Sequence, residues 1–444
     1  MKFRLLGLGV AVVAMSSHSF AGSPQFLDSR AFAMGGVGVA SARPAAAGFY
    51  NPALLAIKQR TKSDGFGLLL PSVGALVQDE DELRDEIDDF EEDVLTPFEN
   101  TLDSLENANF SSVAEAQAAA DDLIVKTQAL QNELNEFNND QALVDLGAGV
   151  SFMVPDRKVA FGFFASGAAQ LSLTLEYRDD ALLDDYISDL ETARDANDIN
   201  AVENLDLSYA NGDLQSDVRA VGVGVGQLGV SLATSFELSG RDIAIGVSPK
   251  LVELKAYDFV ADVDDFESDD LEDSEVSDSG INFDLGAATY LDEDDKWLLG
   301  FSIQNVLSQE VKTEDSFIAA NNVAGGQTID GVTIELKPTM TTGISYSGSS
   351  YILSADLQLN KTDEVKSADG QTLIPARQMI GIGAEYDLFE TMQFRLGAMD
   401  NLEGDGDPLL TTGLGFTVLG ASLELAAMGN SNSLGASFQI GSTF

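Results

Sequence analysis

The sequence has no cysteine and a single histidine, His18. The first absence removes disulfide scaffolds, thiolate nucleophiles and cysteine-ligated zinc. Basic residues are scarce: 24 Lys and Arg stand against 73 Asp and Glu, a formal charge of −49 over 444 residues. Nucleic acid needs a basic face, so it is not an expected partner. Beyond the N-terminus, no stretch nears the roughly 18 uninterrupted apolar residues of a membrane-spanning helix. Yet 44% of the residues are hydrophobic, 25 of them Phe, and mean hydropathy is +0.02. Acid-rich stretches must therefore alternate with strongly apolar ones, and the chain can bury a core.

Lys2 and Arg4 precede an apolar run over residues 5–15, and Ser19-Phe20-Ala21 offers a small-x-small cleavage site. Residues 1–21 thus read as a secretory signal peptide. His18 leaves with it, and the remainder holds neither His nor Cys. That excludes Ser-His-Asp triads, histidine bases and His-ligated metals or haem. No catalytic, cofactor-binding or metal-ligating residue is assigned, and the chain does not read as an enzyme. An exported chain without a spanning helix is periplasmic, secreted or an outer-membrane barrel.

Alternation separates these. In the last twelve residues apolar side chains fall on even positions (Leu434, Ala436, Phe438, Ile440, Phe444), with small or polar ones between. Period two over about ten residues marks a strand facing lipid on one side and a lumen on the other. Phe438, Ile440 and the terminal Phe444 also resemble the C-terminal assembly signal that bacterial outer-membrane barrels present to the barrel assembly machinery, with Ser442 departing from it. The pattern recurs in strands starting near 64, 142, 158, 218, 241, 280, 296, 332, 350, 376, 391, 408, 420 and 433. Soluble sandwiches alternate too, but their strands are usually shorter than several here. Short turns such as 155–157 and 239–241 alternate with long connections at 78–141, 178–217, 260–279, 309–331 and 360–375. This predicts an all-β fold, a 14-stranded antiparallel transmembrane β-barrel in the outer membrane of a Gram-negative bacterium, with outer-membrane lipid around it and the long loops outside. Pro71 interrupts the first strand. Counting outward from the turn at 389–390 pairs Glu385 with Arg395, both pointing inward with Met153 and Phe164.

After the signal come Arg30-Ala-Phe-Ala-Met-Gly-Gly-Val-Gly-Val-Ala-Ser and then Ala45-Ala-Ala-Gly-Phe-Tyr-Asn-Pro-Ala-Leu-Leu-Ala56. This Gly-rich run before Asn-Pro-Ala resembles the N-terminal motif of the FadL-type outer-membrane transporter superfamily, and within it the TraF-like proteins of conjugal transfer. The motif match covers residues 27–57, and beyond it the likeness is architectural. The resemblance implies a hatch over residues 22–62 inside the lumen of a barrel over 63–444, with Asn51, Pro52 and Ala53 at a turn. It also implies passage of hydrophobic molecules inward. From the residues themselves, Gly35, Gly36 and Gly38 permit a compact plug, and Asn51 before Pro52 favours a turn. Gly224-x-Gly226-x-x-Gly229 matches a dinucleotide fingerprint but precedes an alternating strand rather than a helix, so it is not one.

The 78–141 connection holds 20 acids and only Arg84 and Lys126 as bases. Leu83, Ile87, Phe90, Val94, Phe98, Leu102 and Leu105 follow helical spacing, as do Leu123, Leu130, Leu134 and Phe137. Ser112 and Glu115 form a capping box. The reading is an acidic helical hairpin, either a solvated cap or a receptor-binding arm. Ten further acids lie in 260–279. Divalent cations on these loops are one reading and a generally acidic surface the other, since no segment fits a calcium loop and Asp405-Gly406-Asp407 stands alone.

One irregularity remains. Apolar residues switch from odd (Val221, Val223, Val225) to even (Val230, Leu232) along one strand, and from odd (Ile243, Ile245, Val247) to even (Val252, Leu254) along the next. The two breaks, at Gly229 and Pro249, fall at one height. They mark either the outer membrane edge or a paired bulge opening the wall sideways. The functional expectation is a passive channel for small hydrophobic molecules; the alternative is a non-transporting envelope component of conjugal transfer or surface-protein assembly.

Overall fold

The computed structural model describes residues 24–57, 66–79, 90–136, 138, 140–205, 216–262, 274–318, 327–368, 370–389, 391–404 and 406–443. The signal peptide, Phe137, Asp405, Phe444 and most of the 260–279 loop lie outside these. Fourteen antiparallel strands close into one barrel. They are β1 Gly67–Gln78, β2 Gln141–Val154, β3 Ala160–Glu176, β4 Asp217–Leu238, β5 Arg241–Asp262, β6 Val276–Tyr290 and β7 Trp297–Gln304. The second half comprises β8 Thr339–Ser347, β9 Tyr351–Gln358, β10 Met379–Leu388, β11 Met392–Asn401, β12 Leu409–Val418, β13 Ala421–Gly429 and β14 Ser433–Thr443. Each strand pairs with its neighbours in sequence, and β14 closes the ring on β1, with Val77 opposite Leu434.

The alternation has the expected physical meaning. Outward side chains such as Phe163, Leu232, Ile281, Leu353, Ile382, Leu396 and Ile440 are exposed and apolar, while inward neighbours are Gly, Ser, Ala or polar. An exposed belt of this size belongs against lipid. Trp297, Tyr346 and Tyr351 cluster on the belt's short-turn edge, with ring centroids 4.9 and 5.8 Å apart, as amphipathic rings do at a membrane interface.

Two expected strands are corrected in detail. Pro71 sits at a one-residue bulge in β1, where the register to both β2 and β14 shifts. The strand expected from 332 is two elements: Thr333–Leu336 leaves the barrel to pair with Gln309–Lys312, and β8 begins only after Pro338. Pro338 carries no N–H to continue a ladder.

The long connections fold at one end of the barrel. α1 Thr96–Glu106 and α2 Val113–Glu136 form the expected hairpin. The cap differs slightly from expectation: Ser112 Oγ accepts from the Glu115 N–H at 3.2 Å, but Glu115 Oε2 turns back to Ser111 N at 2.9 Å. A third helix, α3 Asp180–Asp195, was not anticipated and packs on α2. Leu102, Leu123, Leu130, Tyr186 and Leu190 bury together between them. Loop β-hairpins at Gln309–Lys312/Thr333–Leu336 and Val365–Lys366/Thr372–Ile374 lie against the upper inner wall of β4 and β5.

Candidate functional site

Residues 24–57 fold inside the barrel as short helical turns, packed on the inner wall. Gly35 and Gly36 adopt φ of 69° and 77°, a region that side chains resist. A Cβ at Gly35 would collide with the carbonyl oxygen of Ala398. The wall answers with its own glycines: Gly381, Gly383 and Gly397 lie directly under the backbone of Met34 and Gly35. Glycine on both sides lets one backbone lie on another.

Asn51 is fully buried. Its Oδ1 accepts from Ala53 N at 3.1 Å, capping the turn Pro52–Ala56. Its Nδ2 donates to Val39 O at 2.9 Å and to Ala287 O of β6 at 3.1 Å. Gly38 lies against the Tyr50 ring, and its N–H and that of Val39 both reach Asp356 Oδ2 of β9, at 2.7 and 2.8 Å. Inward hydroxyls take further carbonyls: Ser302 donates to Tyr50 O at 2.6 Å and Ser345 to Ala40 O at 2.7 Å. The polar inward face of the strands thus satisfies the backbone of an irregular segment that has no ladder of its own.

At the short-turn end the segment is held by charge. Arg30 Nε lies 2.9 Å from Glu385 Oε2, and Arg43 lies 3.4 Å from both Glu385 and Glu424. Arg395 bonds the same two carboxylates, Glu424 and, at 2.6 Å, Glu385. Asp28, buried beside them, caps Arg30 N at 3.1 Å, and burial raises its carboxyl above the ordinary range. Burial likewise pushes the Tyr50 phenol well above its ordinary value, so it stays neutral. This pairing offsets the cost of burying the charges. Pairing of Glu385 with Arg395 was legible from the turn; the convergence of Arg30, Arg43 and Glu424 was not.

Above this seal the lumen is open. A cavity of about 370 Å³ lies between the N-terminal segment (Gly35, Phe49, Tyr50) and the loop hairpins (Thr333, Glu335, Val365). Its walls mix Phe164, Val223, Val225 and Leu254 with Gln170, Gln227, Lys250, Asp284 and Gln358. A second, of about 150 Å³, adjoins it at Arg377, Met379 and Met399. Arg377 is clamped by both oxygens of Asp145, at 2.8 and 2.6 Å.

Of the two readings of the breaks at Gly229 and Pro249, the paired bulge has no counterpart in the β4–β5 register. Gly229 lies opposite Lys250 and Leu232 opposite Val247, one register throughout, with only the rungs beside Pro249 unpaired. Gly229 faces inward beneath the Phe164 ring. Facing never changes along either strand: Leu228 and Leu251 are exposed outward, whereas Val225 and Leu254 are buried inward under the loop hairpins. What changes is the environment. Below the break the outer face is apolar against lipid; above it the inner face is apolar against folded loops, and outward Lys255 pairs with Glu275. The switch coincides with the start of the loop hairpins against the inner wall.

Phe438 and Ile440 point outward on β14, which closes the barrel; Phe444 lies outside the described residues. Among the described residues, no group of three acidic side chains is placed to hold a metal ion.

A family model described as "F plasmid transfer operon, TraF, protein" matches residues 48–358. No curated protein matches the sequence. Among solved structures, the chain resembles the CymD monoaromatic hydrocarbon channel at 13% identity and a TM-score of 0.52, covering 96% of this chain and 99% of that one. A deltaS2S3 mutant of the TodX monoaromatic hydrocarbon channel matches at 13% identity and 0.50, with the same coverage. A Pseudomonas aeruginosa FadL homologue matches at 11% and 0.49, again over 96% and 99%. At such identities the likeness is one of fold.

Proposed function

The chain belongs to the family of the F plasmid transfer operon TraF protein, and from that premise we propose that it is an outer-membrane channel admitting small hydrophobic molecules. The long loops face outward and residues 24–57 act as its hatch. The observation that carries this reading is the cavity between the hatch and the outer hairpins, roofed by loops and walled partly by Phe164, Val223, Val225 and Leu254. A lumen with no transport role has no reason to keep such a space, since interiors otherwise pack closely. The shared barrel of the hydrocarbon channels supports the same class of cargo. No step requires a catalytic group, and the reading is of a channel rather than an enzyme.

One observation favours the rival, a non-transporting envelope component: the short-turn end is closed by the hatch and five interlocked charged side chains. Passage therefore requires the hatch to shift. Uptake of toluene, p-cresol and a fatty-acid series by cells with and without the protein decides between them. Faster entry of at least one compound, altered when residues 27–57 are deleted from a barrel that still assembles, supports the channel. Equal uptake of every compound removes it and leaves the envelope role.

A further inference from the structure

The two most exposed large apolar side chains among the described residues are Leu419, at 97%, and Phe389, at 87%. Both sit in short turns, just past the last paired rungs, Val418 with Ala421 and Leu388 with Met392. Both also have a left-handed backbone, with φ of 51° and 59°. Bulky residues rarely adopt it, and tight hairpin turns of this kind favour Asn, Asp or Gly. The turn at Ser239 and Gly240 shows the ordinary solution. Its φ values of 54° and 79° nearly match the 51° and 83° of Leu419 and Gly420, yet its first residue is polar. Phe389 and Leu419 thus combine a strained backbone with apolar exposure. Nothing among the described residues covers either side chain, so what offsets both costs lies outside the chain.

We propose that the short-turn rim over β10–β13 is anchored in membrane lipid by Phe389 and Leu419, while the rim over β2–β7 stands in water. The inference rests on the reading of the barrel as a membrane protein. Over β2–β7 the turns carry exposed charge, with Arg157 paired to Asp242 and Lys296 to Asp294. Over β10–β13 the turn residues instead continue the lipid-facing wall. Tyr386 and Phe394 lead into Phe389, and Leu414 and Val418 lead into Leu419, all of them exposed. That continuity selects lipid as the occupant. Depth agrees with it. Trp297, Tyr346 and Tyr351 mark the interface on β7–β9, and Tyr386 of β10 lies directly opposite Tyr351. Three residues of tilted strand from Tyr386 to Phe389 descend less than about 10 Å, about the depth of the headgroup layer. The same two hairpins bear Glu385, Arg395 and Glu424, so the anchored arc is the one that moors the N-terminal segment.

Trp297 is the only tryptophan in the sequence, so Trp297→Phe gives a silent background for one fluorescent reporter at a time. Into it go Phe389→Trp, Leu419→Trp and Ser239→Trp, the last sharing the left-handed backbone but lying on the charged arc. Leu396→Trp, on the outward wall, is the reference for lipid contact. Each full-length protein is placed in phosphatidylcholine nanodiscs, whose two faces are both open to solvent, and quenched with brominated lipid or with acrylamide. Brominated lipid should quench Phe389→Trp and Leu419→Trp about twofold more than Ser239→Trp, and acrylamide about twofold less, as for rings at a membrane interface. Quenching at either position like that of Ser239→Trp overturns the inference and is the result expected if these turns face water or a periplasmic protein. The membrane reading is judged separately by Leu396→Trp. If that reporter also escapes brominated lipid, the wall is not against lipid and both readings fall.

Discussion

Glu385 of β10 and Arg395 of β11 stand directly opposite one another, and Glu385 Oε2 meets Arg395 Nε at 2.6 Å inside the barrel. The pair bridges two neighbouring strands. Its larger consequence comes from Arg30, 355 residues before Glu385 in sequence, which takes the same carboxylate oxygen at 2.9 Å. One strand-borne carboxylate thus ties the N-terminal segment to the barrel.

Removing that carboxylate leaves Arg30, Arg43 and Arg395 around Glu424, with an uncompensated buried charge. Breaking such a pair costs about 3–5 kcal/mol. Glu385→Gln is expected to loosen the N-terminal segment without unfolding the barrel, whose ladders it does not touch. Trypsin should then cut after Arg30 in the variant and not in the wild type. Adding Arg43→Gln, which lowers the surplus charge and leaves the Arg30 site in place, should restore part of the protection. Identical digestion patterns would show that the ions do not hold the segment.

Gly35 and Gly240 both have positive φ, of 69° and 79°, but only Gly35 has wall backbone against it. The left-handed conformation alone costs a side chain about 1–2 kcal/mol. Gly240→Ala should lose that and no more. Gly35→Ala adds a collision with the Ala398 carbonyl and should expose the segment to trypsin as Glu385→Gln does. Thermal unfolding in detergent, run beside the digestion, measures both. Equal effects of the two substitutions would mean the close approach at Gly35 is relieved at no cost.

Orientation is tested on intact cells, and the cysteine-free sequence makes single labels clean. Ser104 is exposed on α1 at the long-loop end and Ser349 is exposed at a short turn. A membrane-impermeant thiol reagent should mark Ser104→Cys and miss Ser349→Cys. The opposite result inverts the proposed topology.

Much of this fold could be read without coordinates, and the reasons are local. Side chains of a strand alternate across its faces whatever it pairs with, so lipid on one side writes period two into the sequence. Turn-centred counting works because an antiparallel hairpin conserves register, which is how Glu385 finds Arg395. Helical spacing in 90–136 works in the same way. The same spacing was present at Leu183, Tyr186, Leu190 and Ala193, all buried in α3, and could have revealed that helix.

The remainder depended on distance in sequence and on surroundings. Period two reports that two faces differ, not what lies against them. It could not tell Thr333–Leu336 in a loop hairpin from β8 in the wall, nor a membrane edge from a bulge at Gly229 and Pro249. The amino-acid sequence by itself determined the strand number, the hairpin registers and the Gly-rich segment that can lie flat on a wall. Only the tertiary structure decided where that segment lies and which acids receive Arg30 and Arg43. Local periodicity follows from each strand's own backbone. Convergence of side chains hundreds of residues apart follows from closure of the barrel, where β14 meets β1.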